Sequence, residues 1–320
     1  MVNDVVALGE VLVDFTYAGR SAAGMRLFEQ NPGGAPANVL TALSRLGLKT
    51  AFIGKVGDDM HGLFLKQVLD GEGIDTGALL VDRDYFTTLA FVSLADNGER
   101  TFSFARKPGA DTMLRKEEVP EALIREAKIF HLGSLSLTNE PAKTATFFAL
   151  ETAKKAGCVI SYDPNYRAPL WESREKAMKG MRSVLPYADV IKLSDEETDL
   201  LTPYQEPEQA GKYLIENGAK AVVVTLGKKG ACVVSREGCK YELAFPNKAV
   251  DATGAGDSFW GGVLYSLLHS GKRMEEIGLS DLAAFAHFGN AVASLCVEKR
   301  GGIPAMPYLA EVQERLKQQP

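Results

Sequence analysis

Short runs of Val and Ile alternate along this chain with segments of helical periodicity, and this alternation constrains the fold most. Six runs have the length of central strands: Val5–Leu8, Thr50–Gly54, Ile129–Leu132, Val159–Asp163, Val190–Leu193 and Ala221–Leu226. Five amphipathic segments between them indicate helices: Ala37–Leu46, Gly62–Asp70, Ala142–Lys155, Ser173–Leu185 and Gln209–Asn217. Apolar strands that alternate with helices predict an α/β fold with a mainly parallel sheet flanked by helices.

Glycines follow most of the predicted helices, at Gly47, Gly71, Gly157 and Gly218. A glycine at this place closes a helix by adopting a left-handed conformation. Two long apolar stretches, Ser258–Gly271 and Leu282–Val297, fall short of the roughly 18–20 residues that span a bilayer. We therefore predict two further buried helices there.

Two regions depart from this alternation and predict a small β-sheet. Thr87–Leu94 and Arg100–Arg106 are β-type runs joined by Asp96-Asn97-Gly98-Glu99, and an Asn-Gly pair between such runs indicates a hairpin. Val11–Tyr17, with its continuation to Phe28, is also extended in character. We expect residues 1–320 to form a single domain with a lid built from about residues 11–30 and 86–108.

Charge and cysteine usage exclude several classes of partner. The formal net charge of −5 comes without any basic run longer than two residues, which argues against nucleic acid and anionic membranes as partners. Asp4 and Glu10 lie where a signal peptide needs a cationic start and an apolar core. The four cysteines form no CxxC pair and the four histidines form no zinc-binding pattern. These features predict a cytoplasmic protein with reduced thiols.

The segment Val250–Gly262 is the most informative for chemistry. The small residues Gly254, Ala255 and Gly256 open a helix there, so unpaired backbone N–H groups and the positive end of the helix dipole form an anion site suited to phosphate. Asp257, in the first turn, can take a proton from a hydroxyl as that oxygen attacks phosphorus. A tight loop followed by a helix-capping acid would explain the same residues.

Asn31–Asn38 leads directly into a predicted helix and suggests a ligand contact. Its glycines, Gly33 and Gly34, allow a backbone to approach a ligand closely, and Asn38 offers a donor and an acceptor to a polyol. Asp14, at the end of the first strand region, is a candidate acceptor for sugar hydroxyls. An ordinary turn before a helix and a surface acid are the alternatives.

Further candidates follow the later strands. Arg167 lies after a strand at the sheet edge where open α/β folds bind ligands. Glu197 could hold a hydrated Mg²⁺, although Ser194 with Glu197 three residues later is also a capping box. Thr225–Gly230 supplies a glycine-containing loop that could lie beside a nucleotide.

Eight motifs in order make the chain similar to the ribokinase-like, or PfkB, family of carbohydrate kinases. They are ALGEVLVDF, GGAPANVL, GKVGDDMHG, DPNYR, KLSDEE, VTLGKKG, DATGAGDSFWGG and VEKRGGIPAMP. Within the family, KLSDEE and the phrase FSFARKPGAD at Phe102–Asp111 most resemble fructokinases. The resemblance implies a Rossmann-like domain with a small β lid, ATP-dependent phosphorylation of a primary sugar hydroxyl, Mg²⁺ with the ATP, and a homodimer formed through the lid.

The resemblance also implies a role for each matching position. The catalytic group comprises Asp257 as base, the amides of Gly254, Ala255 and Gly256 as anion hole, and Arg167 at the sugar or the transferred phosphoryl group. The sugar contacts are Asp14, Gly33, Gly34, Asn38 and Arg106, and the nucleotide contacts are Lys192, Thr225, Gly227, Gly230 and Asn290. Glu197 would hold Mg²⁺ through water, and a potassium site at Asp251, Thr253 and Gly301 is left open, since Ala305 replaces a frequent hydroxyl.

D-Fructose, converted to fructose 6-phosphate, is the expected sugar reaction, and 2-keto-3-deoxygluconate, ribose or a riboside such as aminoimidazole riboside are alternatives. No Gly-Lys pair is followed by Ser or Thr, and no strand is followed by GxGxxG, which excludes a P-loop and disfavours a dinucleotide-binding dehydrogenase. Gly256-Asp257-Ser258 superficially resembles the signature of some serine esterases, but the sole Asp-x-x-His is Asp58–His61. A non-catalytic sugar or nucleotide sensor is a further alternative, which the intact Asp257 disfavours.

Overall fold

The computed structural model describes residues 2–94 and 100–318. The predicted hairpin turn at residues 96–99 lies outside them. Within them, the chain forms thirteen strands: β1 (Val5–Leu8), β2 (Leu12–Arg20), β3 (Arg26–Gly33), β4 (Thr50–Gly57), β5 (Leu79–Asp82), β6 (Leu89–Leu94), β7 (Arg100–Ala105), β8 (Ile129–Leu132), β9 (Val159–Tyr162), β10 (Val190–Ser194), β11 (Ala221–Thr225), β12 (Ala231–Ser235) and β13 (Gly238–Glu242).

Nine strands form a large sheet in the order β13-β12-β11-β10-β9-β8-β1-β4-β5. Neighbouring strands from β11 to β5 are parallel, which confirms the predicted architecture, whereas β12 and β13 add an antiparallel edge that the sequence analysis missed. All six predicted central strands are present, with ends that differ from the prediction by at most three residues.

Ten helices accompany the sheet in the described part of the chain: α1 (Ala35–Arg45), α2 (Met60–Gly71), α3 (Glu121–Arg125), α4 (Ala142–Ala156), α5 (Arg174–Arg182), α6 (Thr198–Leu201), α7 (Pro207–Glu216), α8 (Ala255–His269), α9 (Leu279–Cys296) and α10 (Leu309–Lys317). The two long apolar stretches are α8 and α9, as predicted. None of the helices found in residues 2–94 and 100–318 is long and apolar enough to cross a membrane.

The core lies on both faces of the large sheet. In β1, Val6 and Leu8 pack into one apolar cluster, and Val5 and Ala7 into the cluster on the opposite side. Because helices cover both faces, every residue of this central strand is buried, as expected for a parallel strand. The second cluster includes Trp260 of α8, so the helix that begins at the predicted anion site is anchored in the core.

Three of the four predicted helix-closing glycines have the left-handed conformation, with φ of +99° at Gly47, +78° at Gly157 and +113° at Gly218. The prediction was wrong for Gly71, which is the last residue of α2. The left-handed residue there is Gly73, with φ of +74°. The helix ends one residue later than predicted, so Gly71 lies inside it and does not need the left-handed conformation.

Strands β3, β2, β6 and β7 form a separate small sheet, in that order. Here β2 pairs antiparallel with β3 and parallel with β6, and β6 pairs antiparallel with β7, as the hairpin prediction required. The extended region predicted over residues 11–28 therefore consists of two strands rather than one continuous run. Asp14 lies within β2 and faces Asn31 of β3, so it belongs to the small sheet.

Candidate active site

The amino end of α8 forms one wall of the main cavity. Gly254 caps the helix with φ of +76°, and no side chain caps the first-turn amides. The Ala255 N–H donates to the carbonyl oxygen of Ala252 (3.2 Å), so of the three predicted anion-binding amides those of Gly254 and Gly256 remain for a ligand. The positive end of the helix dipole reinforces these donors.

Asp257 lies in the first turn of α8, and amide groups hold both of its carboxylate oxygens. Asn38 Nδ2 donates to Oδ2 (2.7 Å) and Asn165 Nδ2 donates to Oδ1 (3.1 Å). The side chain is buried, and burial raises the pKa of Asp257 above its usual range. Lys192, the two amides and Arg167 oppose that rise in pKa by favouring the charged form.

Lys192 supplies a positive charge beside the anion site. Its Nζ lies 2.8 Å from Asp163 Oδ2, and a Cβ atom added at Gly256 would lie 2.9 Å from the same nitrogen. Burial lowers the pKa of Lys192, but the carboxylates of Asp163 and Glu197 outweigh burial and raise it. The ammonium group therefore stays charged directly against the loop that opens α8, and a side chain at position 256 would have to displace it.

The opposite wall of the cavity belongs to the small sheet and to α1. Asp14 points to the cavity from β2, and burial raises its pKa to about 6, against the effect of Arg167. Gly34 caps α1 with φ of +112°, and a Cβ atom there would lie 2.5 Å from the carbonyl oxygen of Glu10. Backbone conformation and close approach thus both require glycine at position 34.

The cavity encloses about 300 Å³, a size suited to a small molecule. The predicted residues that line it are Asp14, Gly34, Asn38, Arg167, Lys192, Asp251, Thr253, Gly254, Ala255, Gly256, Asp257 and Gly301. Polar side chains and the amino end of α8 therefore share one partly open cavity.

The profile that describes the pfkB family of carbohydrate kinases matches residues 2–308. The chain belongs to this family. It is 43% identical over 317 residues to probable fructokinase-5 of Arabidopsis thaliana, covering 98% of this chain and 97% of the relative.

Two solved structures are also similar to this pfkB-family kinase. Fructokinase from Vibrio cholerae O395 with bound fructose, ADP and calcium ion has a TM-score of 0.89 and 32% identity, covering 99% of this chain and all of the other. A putative ribokinase II from E. coli in complex with ATP and Mg²⁺ has a TM-score of 0.87 and 28% identity, covering 99% and 100%.

Four predicted nucleotide contacts of this kinase lie away from the cavity lining. Gly230, with φ of +103°, packs against residues 242–244, and Asn290 Nδ2 donates to the carbonyl oxygens of Glu242 (3.3 Å) and Leu243 (3.0 Å). Thr225 ends β11 opposite Ser194, and Gly227 follows it with φ of +56°. These residues group near the carboxyl end of β11. They do not line the cavity, and their role in nucleotide binding stays a prediction.

Arg106 also lies outside the cavity lining. Its buried guanidinium forms an ion pair with Asp111 (2.6 Å) and donates to Thr138 Oγ1 (2.9 Å) and to the carbonyl oxygen of Leu135 (3.0 Å). Because Leu135 itself lines the cavity, Arg106 stabilises the cavity wall without lining it. Gly33 is likewise off the lining, and a Cβ atom there would collide with the carboxylate of Asp14.

The candidate Mg²⁺ ligand, Glu197, is engaged by the protein. Its Oε1 accepts from Tyr166 N (2.6 Å), and its Oε2 accepts from Ser194 N (2.8 Å) and Oγ (3.0 Å), so the capping-box alternative is present. No group of three His, Cys, Asp or Glu side chains that could hold a metal occurs in the described ranges. Glu197 Oε1 keeps one lone pair beyond these bonds, but Glu197 is not among the residues that line the cavity, so an Mg²⁺ ion held there through water stays a prediction.

The candidate potassium residues form a junction between two loops. Asp251 Oδ1 accepts from Thr253 N (2.9 Å) and Oγ1 (2.8 Å), and its Oδ2 accepts from Gly301 N (3.1 Å). Because this side chain already links the loops, an ion at this place would depend on backbone carbonyl groups. The junction fits a potassium site in position, and its occupancy stays a prediction.

Sequence reasoning missed five polar residues of the site: Glu10, Thr16, Asn31, Asp163 and Asn165. Asp163 and Asn165 belong to the DPNYR motif, from which only Arg167 was selected. Asn165 lines the cavity, and the buried Asp163 pairs with Lys192. Glu10 also lines the cavity and accepts from Ala35 N (3.0 Å) at the start of α1. An Asn after a strand was the available signal, since Asn tolerates the left-handed conformation that such turns require.

Proposed function

We propose that this chain transfers the terminal phosphoryl group of ATP to the 6-hydroxyl of D-fructose. One observation carries the proposal: the buried Asp257 carboxylate lies between the amides that open α8 and the cavity wall that Asp14 lines. A base that can take a proton from a hydroxyl group and amides that can bind a phosphoryl group thus lie in one cavity. Phosphoryl transfer to that hydroxyl group needs this arrangement.

In the proposed reaction the sugar lies between the small sheet and α1. Asp14 accepts hydrogen bonds from its hydroxyl groups, and Asn38, whose Nδ2 holds Asp257, lines the same cavity. Arg167, which also lines the cavity, offsets the negative charge of Asp14. These groups hold the 6-hydroxyl next to Asp257.

The proton and the phosphoryl group then move in opposite directions. Asp257 takes the hydroxyl proton while the sugar oxygen bonds to the γ-phosphorus, and the bond from that phosphorus to the oxygen of the departing ADP breaks. The amides at the start of α8 and the Lys192 ammonium stabilise the negative charge on the transferred group. Mg²⁺, held through water at Glu197, would neutralise phosphate charge when bound.

Fructose is the best-supported acceptor among the sugars considered. The Arabidopsis relative is named a probable fructokinase, and the Vibrio cholerae structure holds fructose and ADP. Ribose is the principal alternative because the E. coli structure is named a putative ribokinase II. The keto-deoxy acid and ribosides remain alternatives that the same cavity could admit after changes in the small sheet.

A serine esterase has no support in the geometry. The Ser258 hydroxyl is buried and donates to the carbonyl oxygen of Ala255 (2.9 Å) within its own helix. His61, the histidine of the Asp-x-x-His sequence, contacts Phe15 and Gln30 in and beside the small sheet. A nucleophilic serine needs a neighbouring base, and the Ser258 side chain faces a carbonyl group instead.

We further propose that the small sheet acts as a lid and as a dimer interface. One of its faces lines the cavity through Leu12, Asp14, Thr16, Val92 and Phe104. The other face carries a cluster of aromatic rings in mutual contact, formed by Phe15, Tyr17, Phe28 and Phe91. Tyr17, Phe28 and Phe91 are exposed, and a second copy of the sheet would cover them.

The experiment that tests the proposed function measures ADP release with Mg²⁺ and ATP over a panel of acceptors. The panel contains fructose, ribose, 2-keto-3-deoxygluconate, aminoimidazole riboside and no sugar, each with and without K⁺. We expect fructose to give the highest kcat/KM. Fructose turnover equal to the control without sugar would reject the named substrate, and no turnover with any acceptor would favour a sensor.

A further inference from the structure

Asn165 makes a direct contact with the proposed base. Its Nδ2 donates to Asp257 Oδ1 at 3.1 Å, while Asn38 Nδ2 donates to the other oxygen at 2.7 Å. A carboxylate held by one donor on each oxygen cannot rotate freely about its Cβ–Cγ bond. Each oxygen keeps a second lone pair, so the base stays available to a hydroxyl group.

The backbone at Asn165 is unusual. Its φ is +46°, the one positive value at a residue other than glycine among the described residues. Neighbouring bonds fix the turn on both sides, because Tyr166 N donates to Glu197 Oε1 (2.6 Å) and Ser134 N donates to the carbonyl oxygen of Pro164 (3.2 Å). Glycine would adopt this conformation more easily, yet the chain has a side chain here that reaches Asp257.

We propose that Asn165 is a positioning residue whose side-chain amide orients the Asp257 carboxylate toward the sugar hydroxyl and keeps it ionised. This inference rests on the proposed function, in which Asp257 is the base. Asn165 acts through Asp257, so its removal should lower the rate of the chemical step and leave ATP binding unchanged. The left-handed backbone at Asn165 is unfavourable for a residue other than glycine, and it is the conformation that places the amide beside Asp257.

Burial is the reason the amide matters. An ionised carboxylate loses water on burial, and hydrogen bonds to the charged form compensate for that loss. Five further titratable side chains act on Asp257: Lys192 on β10, Asp163 and Arg167 after β9, Asp14 on β2 and Cys296 at the end of α9. All five are unchanged in the variants below. A change in the pH profile of kcat would therefore report the loss of the Asn165 amide.

The alternative is that Asn165 serves only the turn. Asn and Asp tolerate left-handed conformations better than most residues, and glycine tolerates them best. Under that alternative, N165G should match the wild type in activity. Under the positioning role, N165G loses a donor, and N165D replaces the donor by a second carboxylate against Asp257.

The experiment compares wild type, N165G and N165D in steady-state kinetics with fructose and ATP between pH 5.5 and 9. We expect kcat of N165G to fall by about 10-fold to 100-fold, because misplacement of a catalytic group has effects of this size. Its acidic limb should move to higher pH, and N165D should show a larger fall and a larger shift. Thermal unfolding and calorimetric ATP binding should remain close to wild type in N165G.

The outcomes separate this inference from the proposed function. N165G with wild-type kcat and an unmoved acidic limb would overturn the positioning role even if D257N is inactive. Nearly normal turnover in D257N would instead reject the base assignment, and the positioning role with it. If N165D fails to fold, the kinetics of N165G alone still test the positioning role, because glycine adopts the left-handed turn readily.

Discussion

The large sheet and the small sheet meet at the same cavity but are built differently. Strand β1 of the large sheet is buried along its whole length, with apolar clusters on both sides. Strand β2 of the small sheet is buried only at Leu12 and Val13 and becomes exposed toward Arg20. The large sheet has helices on both faces, whereas the small sheet has the cavity on one face and exposed aromatic rings on the other.

In the proposed function, this difference separates the chemistry from the selection of the sugar. The proposed base, the proposed anion site and Lys192 are carried by α8 and the strand ends of the large sheet, where close packing fixes their positions. The small sheet contributes Asp14, which in the proposed function contacts the sugar. Changes in the large sheet should therefore affect kcat, and changes in the small sheet should affect KM for the sugar.

Substitution of the proposed base gives the largest expected effect. D257N keeps the size of the side chain but removes its ability to accept a proton, so kcat should fall by about 10²–10⁴-fold. ATP affinity, measured by calorimetry, should change little. A variant with near-normal turnover would show that the large sheet does not hold the base.

The second prediction concerns the small sheet and pH. Burial raises the pKa of Asp14 to about 6, and the ionised form accepts stronger, charge-assisted hydrogen bonds from hydroxyl groups than the protonated form does. As pH falls from 7 to 5, Asp14 becomes protonated, and KM for fructose should rise by up to about tenfold, the ratio of ionised fractions for such a pKa.

D14N is the control for that pH dependence. Its KM for fructose should be high, about 10-fold to 100-fold above wild type, and should not vary further between pH 7 and 5. Its kcat should fall far less than that of D257N. An unchanged KM in D14N would remove the assignment of sugar selection to the small sheet.

The smallest effect on activity is expected at the outer face of the small sheet. F28D introduces a charge into the exposed aromatic cluster and should convert a dimer to a monomer in sedimentation analysis, with kcat within about threefold of wild type. Phe86 is the matched control, since it is more exposed but has no ring contact with that cluster. If F28D and the control F86D were both dimers, or if the wild type were a monomer, the proposed interface would be contradicted.

The sequence predicted the large sheet well because buried parallel strands are continuous apolar runs. It also predicted that α8 begins at the small residues before Asp257, because the start of a helix depends on residues that are close together in the sequence. It missed the contact of Asn165 with Asp257 because that contact joins residues 92 positions apart. It did not predict that Arg106 lies behind the cavity wall, for a similar reason: the partners Thr138 and Leu135 come from a distant segment.

The edge strands β12 and β13 show a different limit of prediction. β12 is apolar and buried like a central strand, whereas β13 is polar and partly exposed, and a short connection turns each of them back antiparallel to the strand before it. Similarly, Glu197 is both a cap and a candidate ligand site, and sequence spacing alone could not separate these roles. Local patterns therefore predicted elements, and long-range pairing decided which side chains meet.

The closing segment of the cavity has a consequence for the order of synthesis. Gly301 binds Asp251, a Cβ atom at Gly302 would lie 2.8 Å from Asn38 Oδ1, and Arg45 Nη1 donates to the carbonyl groups of Pro304 and Met306. A ribosome releases the amino-terminal part of a chain first. The cavity therefore stays incomplete until the segment from Gly301 to Met306 has been synthesised, long after Asp14 and Asn38.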